Sequence, residues 1–435
     1  MTTAEGYRET GGNWAYQEAL GRIAQGISAG PCELDTVLSP ETAGEEFYLF
    51  STAHHVRLSS VGRSVQVRGI IEFSNYCRQD CLFCGLRRSN AKLARYRMSP
   101  EQIVEAAVRA LKAHDFGTFV LQSGEDPGYP ADAIAYAVKS IKQLGSAVTL
   151  SAGQRSYEDY QLWRKAGADR FLLKFETSDP DFFKQLKPTT TLDERLQCLM
   201  SLRSLGYQIG TGIILGLPGQ TREMVIRDLL LLKQLDPEMV SIGPFIPHPD
   251  TPLGQRLPGA PDPDSLIRAT LRAVALSRLM VPLAHIPATT ALGVIGQRSR
   301  DWIEWAGSYI QGRLGDEAGP RWHAPTGDWN DPRLLALVCG ANVIMPDVTP
   351  KLFRDSYEIY PGKAGSDGEE LCGTMRSVKA MIQSLGMTID PGRGDSPKPQ
   401  FAAGMATGGD PGPELSEGPG ASDGSQTERS VRCED

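Results

Sequence analysis

The sequence predicts an α/β protein built on a TIM-type (βα)8 barrel, and two observations carry that prediction. From about Val65 to Pro346, short β-rich runs alternate with amphipathic helical stretches. Glycines follow three of the helical stretches, at Gly145, Gly167 and Gly206, where helices commonly end. Eight strand–helix repeats are typical of a closed parallel barrel.

The predicted strands are short runs rich in β-branched and aromatic residues. They lie near Val65–Phe73, Thr118–Gln122, Ala147–Ser151, Arg170–Phe175, Gln208–Ile214, Met239–Gly243, His285–Thr290 and Ala341–Met345. The predicted helices between them include Pro100–His114, Tyr157–Ala166, Leu192–Gly206 and Arg222–Leu235.

The chain divides around this barrel. Residues 1–62 read as a helical N-terminal lead-in, because Tyr16, Leu20, Ile23 and Ile27 recur at helical spacing. Residues 63–390 form the predicted barrel, interrupted by an insert at about 297–328 that is rich in tryptophan. Residues 391–435 are rich in Gly, Pro, Ser and acidic residues and predict a disordered C-terminal tail.

Composition narrows the function classes. The 435 residues are 40% hydrophobic and 22% charged, with a formal net charge of −7, which suits a globular enzyme. No basic stripe is interleaved with aromatics, so nucleic acid is not an expected partner. No run approaches 18 apolar residues and the N-terminus lacks a secretory signal. The expectation is therefore a cytoplasmic protein that does not span a membrane.

Three of the eight cysteines, Cys77, Cys81 and Cys84, stand in a C-x3-C-x2-C arrangement. They directly follow the first predicted strand, at the rim where barrel active sites lie. Thiolates ligate iron–sulfur clusters, and three cysteines leave one iron of a four-iron cluster without a protein ligand. That iron can chelate S-adenosylmethionine (SAM), and reduction can then release a 5′-deoxyadenosyl radical.

The cysteine trio has two other interpretations, a zinc site and a chance group of buried cysteines. A zinc site needs a fourth Cys or His, and the closest histidines are His54, His55 and His114. A chance group of buried cysteines is a poorer explanation still, because this spacing directly after a strand is specific.

Longer strings around the trio resemble the radical SAM superfamily and, more closely, the FeFe-hydrogenase maturase HydE family, with similarity to biotin synthase and methylornithine synthase. The resemblance runs from about Gly69 to Lys363. It rests on strings that include Ile71–Asn75, Cys84–Arg88, Leu121–Pro127, Gly216–Thr221, Ile242–Pro252, Ile286–Ala291, Cys339–Pro346 and Tyr360–Lys363.

The resemblance implies one 4Fe–4S cluster on Cys77, Cys81 and Cys84 as the catalytic group, with SAM beside it. It implies cofactor-binding residues Tyr76, Phe83, Ser123, Gly124, Glu125, Thr149, Ser151, Glu176, Arg195, Leu217 and Pro218. Carboxylates there can accept from the SAM ammonium or ribose, and a guanidinium can hold the SAM carboxylate. Without the resemblance, Arg195 reads as a solvated helix residue and Thr149 as barrel filling.

The substrate cavity is expected on the same rim, formed by Thr289, Thr290, Met345, Tyr357 and Tyr360. Core packing is an equally good interpretation of Met345. The family acts in assembly of the FeFe-hydrogenase active site. The expected substrate is therefore a small organometallic or amino-acid-derived molecule, the expected electron donor a ferredoxin or flavodoxin, and further partners the other hydrogenase maturases.

Two departures from the family pattern matter. Residues 362–381 contain only Cys372, so a second cluster of the kind held near the end of the barrel is not expected. Lys174-Phe175 stands where members often show Arg-His, which changes one polar contact of the expected cavity.

Rival functions stay open. A carbon-skeleton mutase of the methylornithine synthase type would use the same SAM residues. A biotin-synthase-like sulfur inserter would need a second cluster, and Cys198, Cys339 and Cys372 form no tight trio. A non-catalytic iron–sulfur scaffold would need the trio without the SAM residues. Neighbouring hydrogenase genes and a SAM-cleavage assay would separate these functions.

Overall fold

The computed structural model describes residues 13–27, 29–256, 262–297, 331–363 and 371–402. Its centre is a parallel sheet of eight strands flanked by helices. The strands are β1 (Val65–Ser74), β2 (Thr118–Ser123), β3 (Ala147–Ser151), β4 (Arg170–Leu172), β5 (Gln208–Leu215), β6 (Met239–Pro244), β7 (Val343–Ile344) and β8 (Ile389–Asp390).

The strands pair in the order β6-β5-β4-β3-β2-β1-β7, and β8 also pairs with β1. The pairings from β1 through β6 are all parallel, with Arg68 opposite Thr118 and Gly210 opposite Met239. Because each connection crosses back over the sheet, all carboxyl ends of the strands meet at one edge. That edge is where the predicted site residues lie.

The predicted seventh strand, His285–Thr290, is wrong as a strand. Single parallel bridges join Met239 to His285 and Pro287 to Val343, and a helix already begins at Thr290. Pro287 has no N–H to donate, so a continuous ladder cannot pass through it. The parallel α/β arrangement is confirmed, whereas complete closure of the barrel stays a prediction.

Three helices precede the sheet: α1 (Trp14–Ala24), α2 (Pro31–Leu38) and α3 (Ala43–Val61). The connecting and later helices are α4 (Pro100–Ala113), α5 (Ala131–Gln143), α6 (Tyr157–Lys165), α7 (Pro180–Leu186), α8 (Leu192–Ser204), α9 (Arg222–Leu235), α10 (Pro252–Arg256), α11 (Pro263–Met280), α12 (Thr290–Gly296), α13 (Arg333–Val338), α14 (Lys351–Arg354), α15 (Leu371–Ser384) and α16 (Pro399–Ala402).

The helices begin where the sequence supplies caps. Ser99 and Thr191 each start a helix with a reciprocal capping box, completed by Gln102 and Glu194 respectively. Each cap satisfies backbone N–H groups that would otherwise lack a partner at the helix start. Apolar faces of the helices then pack on the sheet, and one continuous hydrophobic core joins the lead-in helices to it.

Buried ion pairs join the lead-in helix α3 to helix α11. Glu46 on α3 is fully buried, and its carboxylate accepts hydrogen bonds from Arg268 at 2.8 Å and from Arg272 at 2.5 Å, both on α11. Two guanidinium groups on one carboxylate offset the cost of burying it. Arg57 adds a buried hydrogen bond to the Ala341 carbonyl, just before β7.

The chain from residue 391 to residue 402 packs under the sheet. Asp395 pairs with the buried Arg170 at 2.6 Å, and Lys398 pairs with Glu238 at 3.1 Å. Ser396 is fully buried. The prediction of a disordered tail beginning at residue 391 is therefore wrong for residues 391–402, because polar side chains, and not an apolar pattern, attach this segment.

Two predicted regions fall largely outside the described residues. The remainder of the tail, residues 403–435, is one, and the tryptophan-rich insert, for which only Gln297 is described, is the other. Within the described residues, no helix combines the length and the apolar character needed to cross a bilayer.

Candidate active site

The three cysteines lie on the loop that leaves β1. Asn75 starts this loop and is fully buried; its amide donates to the carbonyls of Ala94 and Ser356, each at 2.7 Å, and its oxygen accepts from the Tyr96 N–H. Arg95 reaches across and donates to the carbonyls of Asn75 and Leu86. These bonds give a loop without regular secondary structure a fixed shape.

Two glycines let the cysteine loop pack closely. A Cβ at Gly85 would lie 2.1 Å from the Glu358 carbonyl oxygen and 2.6 Å from the His248 ring. A Cβ at Gly124 would lie 2.2 Å from the Tyr76 carbonyl oxygen. Both positions therefore require glycine, since no side chain fits between the loop and its neighbours.

The loop opens onto a cavity of about 320 Å³ at the carboxyl ends of the strands. Cys77, Cys81 and Cys84 all line it. Much of the remaining wall is apolar, with one set of polar groups around Glu125 and Arg195 and a second set around Lys363. A mostly apolar cavity with a few convergent polar groups is the usual form of a small-molecule site.

Burial, followed by repulsion from the neighbouring thiolates, raises the pKa of Cys84. Burial, followed by repulsion from Cys81 and Glu125, raises the pKa of Cys77 to about 11. Burial also raises the pKa of Cys81. Such thiols need a bound cation to become thiolates. Among the described residues, no three His, Cys, Asp or Glu side chains converge as on a single metal ion. Three thiols around a cavity fit a larger iron–sulfur cluster.

An ion pair stands beside the cysteines. Arg195 donates to Glu125 at 2.8 Å, and Gln79 donates to the other Glu125 oxygen at 2.5 Å. Burial disfavours both charges, but Arg195 and Lys187 outweigh it and lower the pKa of Glu125. Burial likewise opposes a charged Arg195, and the Glu125 and Glu176 carboxylates outweigh it and raise the pKa of Arg195. The pair stays ionised.

Glu176, just past β4, has a left-handed backbone with φ of 68°, rare for a residue other than glycine. Holding such a conformation costs about 1–3 kcal/mol. Its carboxylate lines the cavity, 3.3 Å from Lys174 Nζ. Strain of this kind concentrates at functional sites, where the surrounding structure maintains it.

Several buried polar atoms around the cavity lack a hydrogen-bond partner. They are Arg195 Nε, Glu176 Oε2 and Thr289 Oγ1. Lys174 is near Glu176 Oε2 but is not aligned to donate to it. Because a buried polar atom without a partner is costly, these atoms fit a ligand that carries both donors and acceptors. An amino-acid zwitterion such as the one at the end of SAM has that character.

A second charged group also lines the cavity. Lys363 lines the cavity and contacts the fully buried Glu72, with Asp347 at 3.5 Å and the Tyr357 ring centroid at 5.2 Å. Burial, followed by repulsion from Asp347, raises the pKa of Glu72. Burial also raises the pKa of Tyr360 to about 12, so its hydroxyl stays protonated and can donate.

The structure brings most predicted site residues to this one cavity: Cys77, Cys81, Phe83, Cys84, Ser123, Gly124, Glu125, Ser151, Glu176, Arg195, Thr289, Thr290, Met345, Tyr357 and Tyr360.

Four predicted cofactor residues do not line the cavity. Thr149 is fully buried one layer below Ser151. Leu217 packs in a small core with Phe182, and Pro218 follows it in the same turn. Tyr76 lies on the outer side of the loop under the Arg97 guanidinium, 3.9 Å from its ring centroid. Direct contact of these four with a cofactor therefore stays a prediction.

Sequence reasoning missed Gln79, Lys187 and Lys363, which line the same cavity. Gln79 lies between two cluster cysteines, and that position could have singled it out. Lys363 is the last residue of the family string Tyr360–Lys363, but the resemblance did not assign it to the site. Lys187 is nearly fully buried and follows α7, and nothing in the local pattern indicates it.

Solved structures resemble this fold. Methylornithine synthase (PylB) superposes with a TM-score of 0.67 at 26% identity, covering 86% of this chain and 97% of that one. The FeFe-hydrogenase maturase HydG from Carboxydothermus hydrogenoformans superposes with a TM-score of 0.60 at 17% identity, covering 86% of this chain and 78% of that one. At that identity the second likeness concerns the fold alone.

Sequence comparison is more specific. The radical SAM superfamily model matches residues 71–232, which include all three cysteines. The 3-methylornithine synthase of Methanosarcina acetivorans is 31% identical over 64% of this chain and 78% of its own length. The FeFe-hydrogenase maturase subunit HydE of Thermotoga maritima is 45% identical over 83% of this chain and 91% of its own length. The chain is therefore a radical SAM enzyme and belongs to the HydE family.

Proposed function

We propose that this enzyme cleaves SAM reductively and acts in assembly of the FeFe-hydrogenase active-site cluster. One observation carries the proposal: three cysteine thiols share one cavity with Arg195 and Glu176, each of which has one buried polar atom without a hydrogen bond, in a chain that is 45% identical to a HydE over 83% of its length. The proposed substrate is a small organometallic or amino-acid-derived molecule.

Cys77, Cys81 and Cys84 hold one 4Fe–4S cluster in this proposal. When bound, the cluster and SAM supply a 5′-deoxyadenosyl radical by reductive cleavage of the sulfonium. The protein fixes the loop through Asn75 and Arg95, and among the described residues no further cysteine and no histidine lines the cavity with the three thiols. The open position is thus kept for SAM. A ferredoxin or flavodoxin delivers the electron, and the other hydrogenase maturases are partners.

Glu125, Glu176 and Arg195 bind the polar end of SAM. The Arg195 Nε–H, buried without a partner, donates to the SAM carboxylate, while Glu176 Oε2 accepts from its ammonium or ribose. Gln79 and Arg195 hold Glu125 in its ionised form, so this end of the cavity is polarised before SAM arrives. Gly124 lets the cysteine loop pack against the end of β2, and Ser123 lines the cavity beside it.

The remaining cavity, between the cysteines and Lys363, takes the substrate. Thr289, Thr290, Met345, Tyr357 and Tyr360 line it. The mostly apolar surface excludes water from a reactive radical, while the tyrosine hydroxyls and Lys363 orient a polar group. We also propose that residues 285–287 close the sheet into a barrel, through the single bridges to Met239 and Val343.

The test is anaerobic reconstitution with iron and sulfide, followed by reduction with SAM present. 5′-Deoxyadenosine and methionine should form, and the Cys77→Ala protein should yield neither. The enzyme should then replace HydE in a cell-free hydrogenase maturation mixture and restore hydrogen evolution. Cleavage without restored hydrogen evolution would remove the maturase role and leave the radical chemistry.

The second candidate is a mutase of the methylornithine synthase type, favoured by the TM-score of 0.67 to PylB. The lower identity of 31% to the Methanosarcina acetivorans enzyme counts against it. Formation of 3-methylornithine from lysine in the same assay would establish it. Absence of any 5′-deoxyadenosine would favour a non-catalytic scaffold instead.

A further inference from the structure

Glu176 is placed by a bulge in the sheet. Leu172 pairs with Gly210, and the next bridge joins Glu176 to Ile213. Four steps along the β4 side therefore match three along β5, which leaves one extra residue on the β4 side. Glu176 donates its N–H to Gly212 at 3.0 Å and accepts from the Ile214 N–H at 3.2 Å. Its peptide groups are thus fixed on the β5 side.

The chain after Glu176 is held from the opposite side by one carboxylate. Asp228 lies on α9 and is fully buried. Its Oδ1 accepts hydrogen bonds from the Ser178 N–H at 2.5 Å, the Ser178 hydroxyl at 2.6 Å and the Thr177 hydroxyl at 3.3 Å. These are the two residues that directly follow the left-handed position.

Burial of the Asp228 carboxylate costs free energy that its surroundings compensate only in part. No hydrogen bond reaches its Oδ2, and none of the described basic side chains forms an ion pair with it. The adjacent Arg227 instead donates to Asp179. Burial accordingly raises the pKa of Asp228 to about 6. The hydrogen bonds accepted at Oδ1 partly offset this cost, and all three come from the residues that directly follow Glu176.

We propose that Asp228 is the positioning residue that holds Glu176 in its left-handed conformation, so that the Glu176 carboxylate faces the cavity before SAM binds. This rests on the proposed role of Glu176 in SAM binding. Without the three bonds to residues 177 and 178, the bulge can relax to an ordinary extended strand, and the carboxylate turns away from the cavity.

The experiment titrates SAM against the reconstituted, reduced protein and follows the electron paramagnetic resonance signal of the cluster. Asp228→Ala should raise the SAM dissociation constant about tenfold, while the signal without SAM and the iron content stay unchanged. Asp228→Asn keeps the Oδ1 acceptor and should recover most of the affinity. Glu238→Ala removes a buried carboxylate at the other end of the sheet and should lower stability with SAM affinity unchanged.

A double-mutant cycle with Glu176→Ala completes the test. If Asp228 acts through Glu176, the double variant should bind SAM no more weakly than Glu176→Ala alone. Wild-type affinity in Asp228→Ala, or losses that multiply in the double variant, would overturn the positioning role while leaving Glu176 as a SAM ligand. Unchanged affinity in Glu176→Ala would instead show that the proposed SAM contact is wrong, and the inference would fall with it.

Discussion

The two ends of the sheet are built from the same kind of group and finished in opposite ways. At the carboxyl end, Arg195 pairs with Glu125 at 2.8 Å beside a cavity of about 320 Å³. At the amino end, Arg170 pairs with Asp395 at 2.6 Å, and residues 393–398 lie over the pair. Both guanidinium groups are nearly fully buried.

The difference lies in what each end leaves without a partner. Around the cavity, Arg195 Nε and Glu176 Oε2 lack a hydrogen-bond partner. Arg170, in contrast, donates to Gln208, Thr118, Asp395 and the Arg393 carbonyl. A buried ion pair therefore does not by itself indicate function. The hydrogen bonds it leaves unmade, and the open space beside them, distinguish a binding site from a structural seal.

The largest expected effect is at the cysteine loop. Changing Cys77, Cys81 or Cys84 to Ala should abolish reductive SAM cleavage, because a lost thiolate loosens the cluster. Wild-type protein should hold about four irons per chain. Exposed Cys32→Ala is the control and should keep both iron and cleavage. An iron content near eight that survives loss of the trio would show that a second cluster exists.

The next largest effect is expected at the seal, the segment of residues 391–402 that covers Arg170 at the amino end of the sheet. Ending the chain after residue 390 removes Asp395, Lys398 and the segment that covers Arg170. The unfolding free energy should fall by about 3–5 kcal/mol, because several hydrogen bonds worth about 1 kcal/mol each are lost. Ending the chain after residue 402 keeps every described contact and should leave stability unchanged. Urea unfolding of the two truncated proteins measures the difference. Equal stability would mean that the seal is dispensable.

The matched arginines give a sharper contrast. Arg195→Lys should weaken SAM binding roughly tenfold, about 1.4 kcal/mol, because an ammonium cannot reproduce a guanidinium that bridges Glu125 and a carboxylate. Arg170→Lys should lower the unfolding midpoint and leave SAM affinity intact. Titration of SAM against both variants checks this. Equal SAM affinity in Arg195→Lys and wild type would remove Arg195 from the SAM site.

The smallest effect is on pH dependence. Burial raises the pKa of Asp228 to about 6, above its value in the unfolded chain, so the native state binds the extra proton. This group therefore favours folding at low pH, and its contribution is lost as pH rises from about 4 to 6. Relative to Asp228→Asn, wild-type protein should lose about 1 kcal/mol between pH 5 and pH 7. A constant difference in unfolding free energy would contradict the raised pKa.

Much of the fold could be predicted because its strands are regular. β3 was predicted residue for residue, and β1, β2, β5 and β6 to within one residue at their ends. The predicted seventh strand failed because Pro287 interrupts a run that otherwise has β-branched character. The attachment of residues 391–402 was missed because it depends on partners such as Arg170, more than two hundred positions away. No local pattern carries that information.

The site residues also divide into those that the sequence indicates and those that only the folded structure brings together. Cysteine spacing and long family strings indicated the loop and Glu125. The family resemblance indicated Glu176, at the end of a predicted strand, and Arg195, on the helix that follows. Lys187 and the Glu72–Lys363 contact could not be predicted, because chain crossings and not local sequence bring them to the cavity. The left-handed backbone of Glu176 arises from a one-residue mismatch between two strands, which only the paired structure reveals.

The seal also has a consequence for how the protein is made. Asp395 follows Arg170 by 225 residues, so at about 5–20 residues per second a ribosome synthesises the carboxylate roughly 10–45 seconds after its partner. During that interval Arg170 lacks both its carboxylate partner and the segment that covers it. The amino end of the sheet is therefore completed only after residues 391–402 have been synthesised.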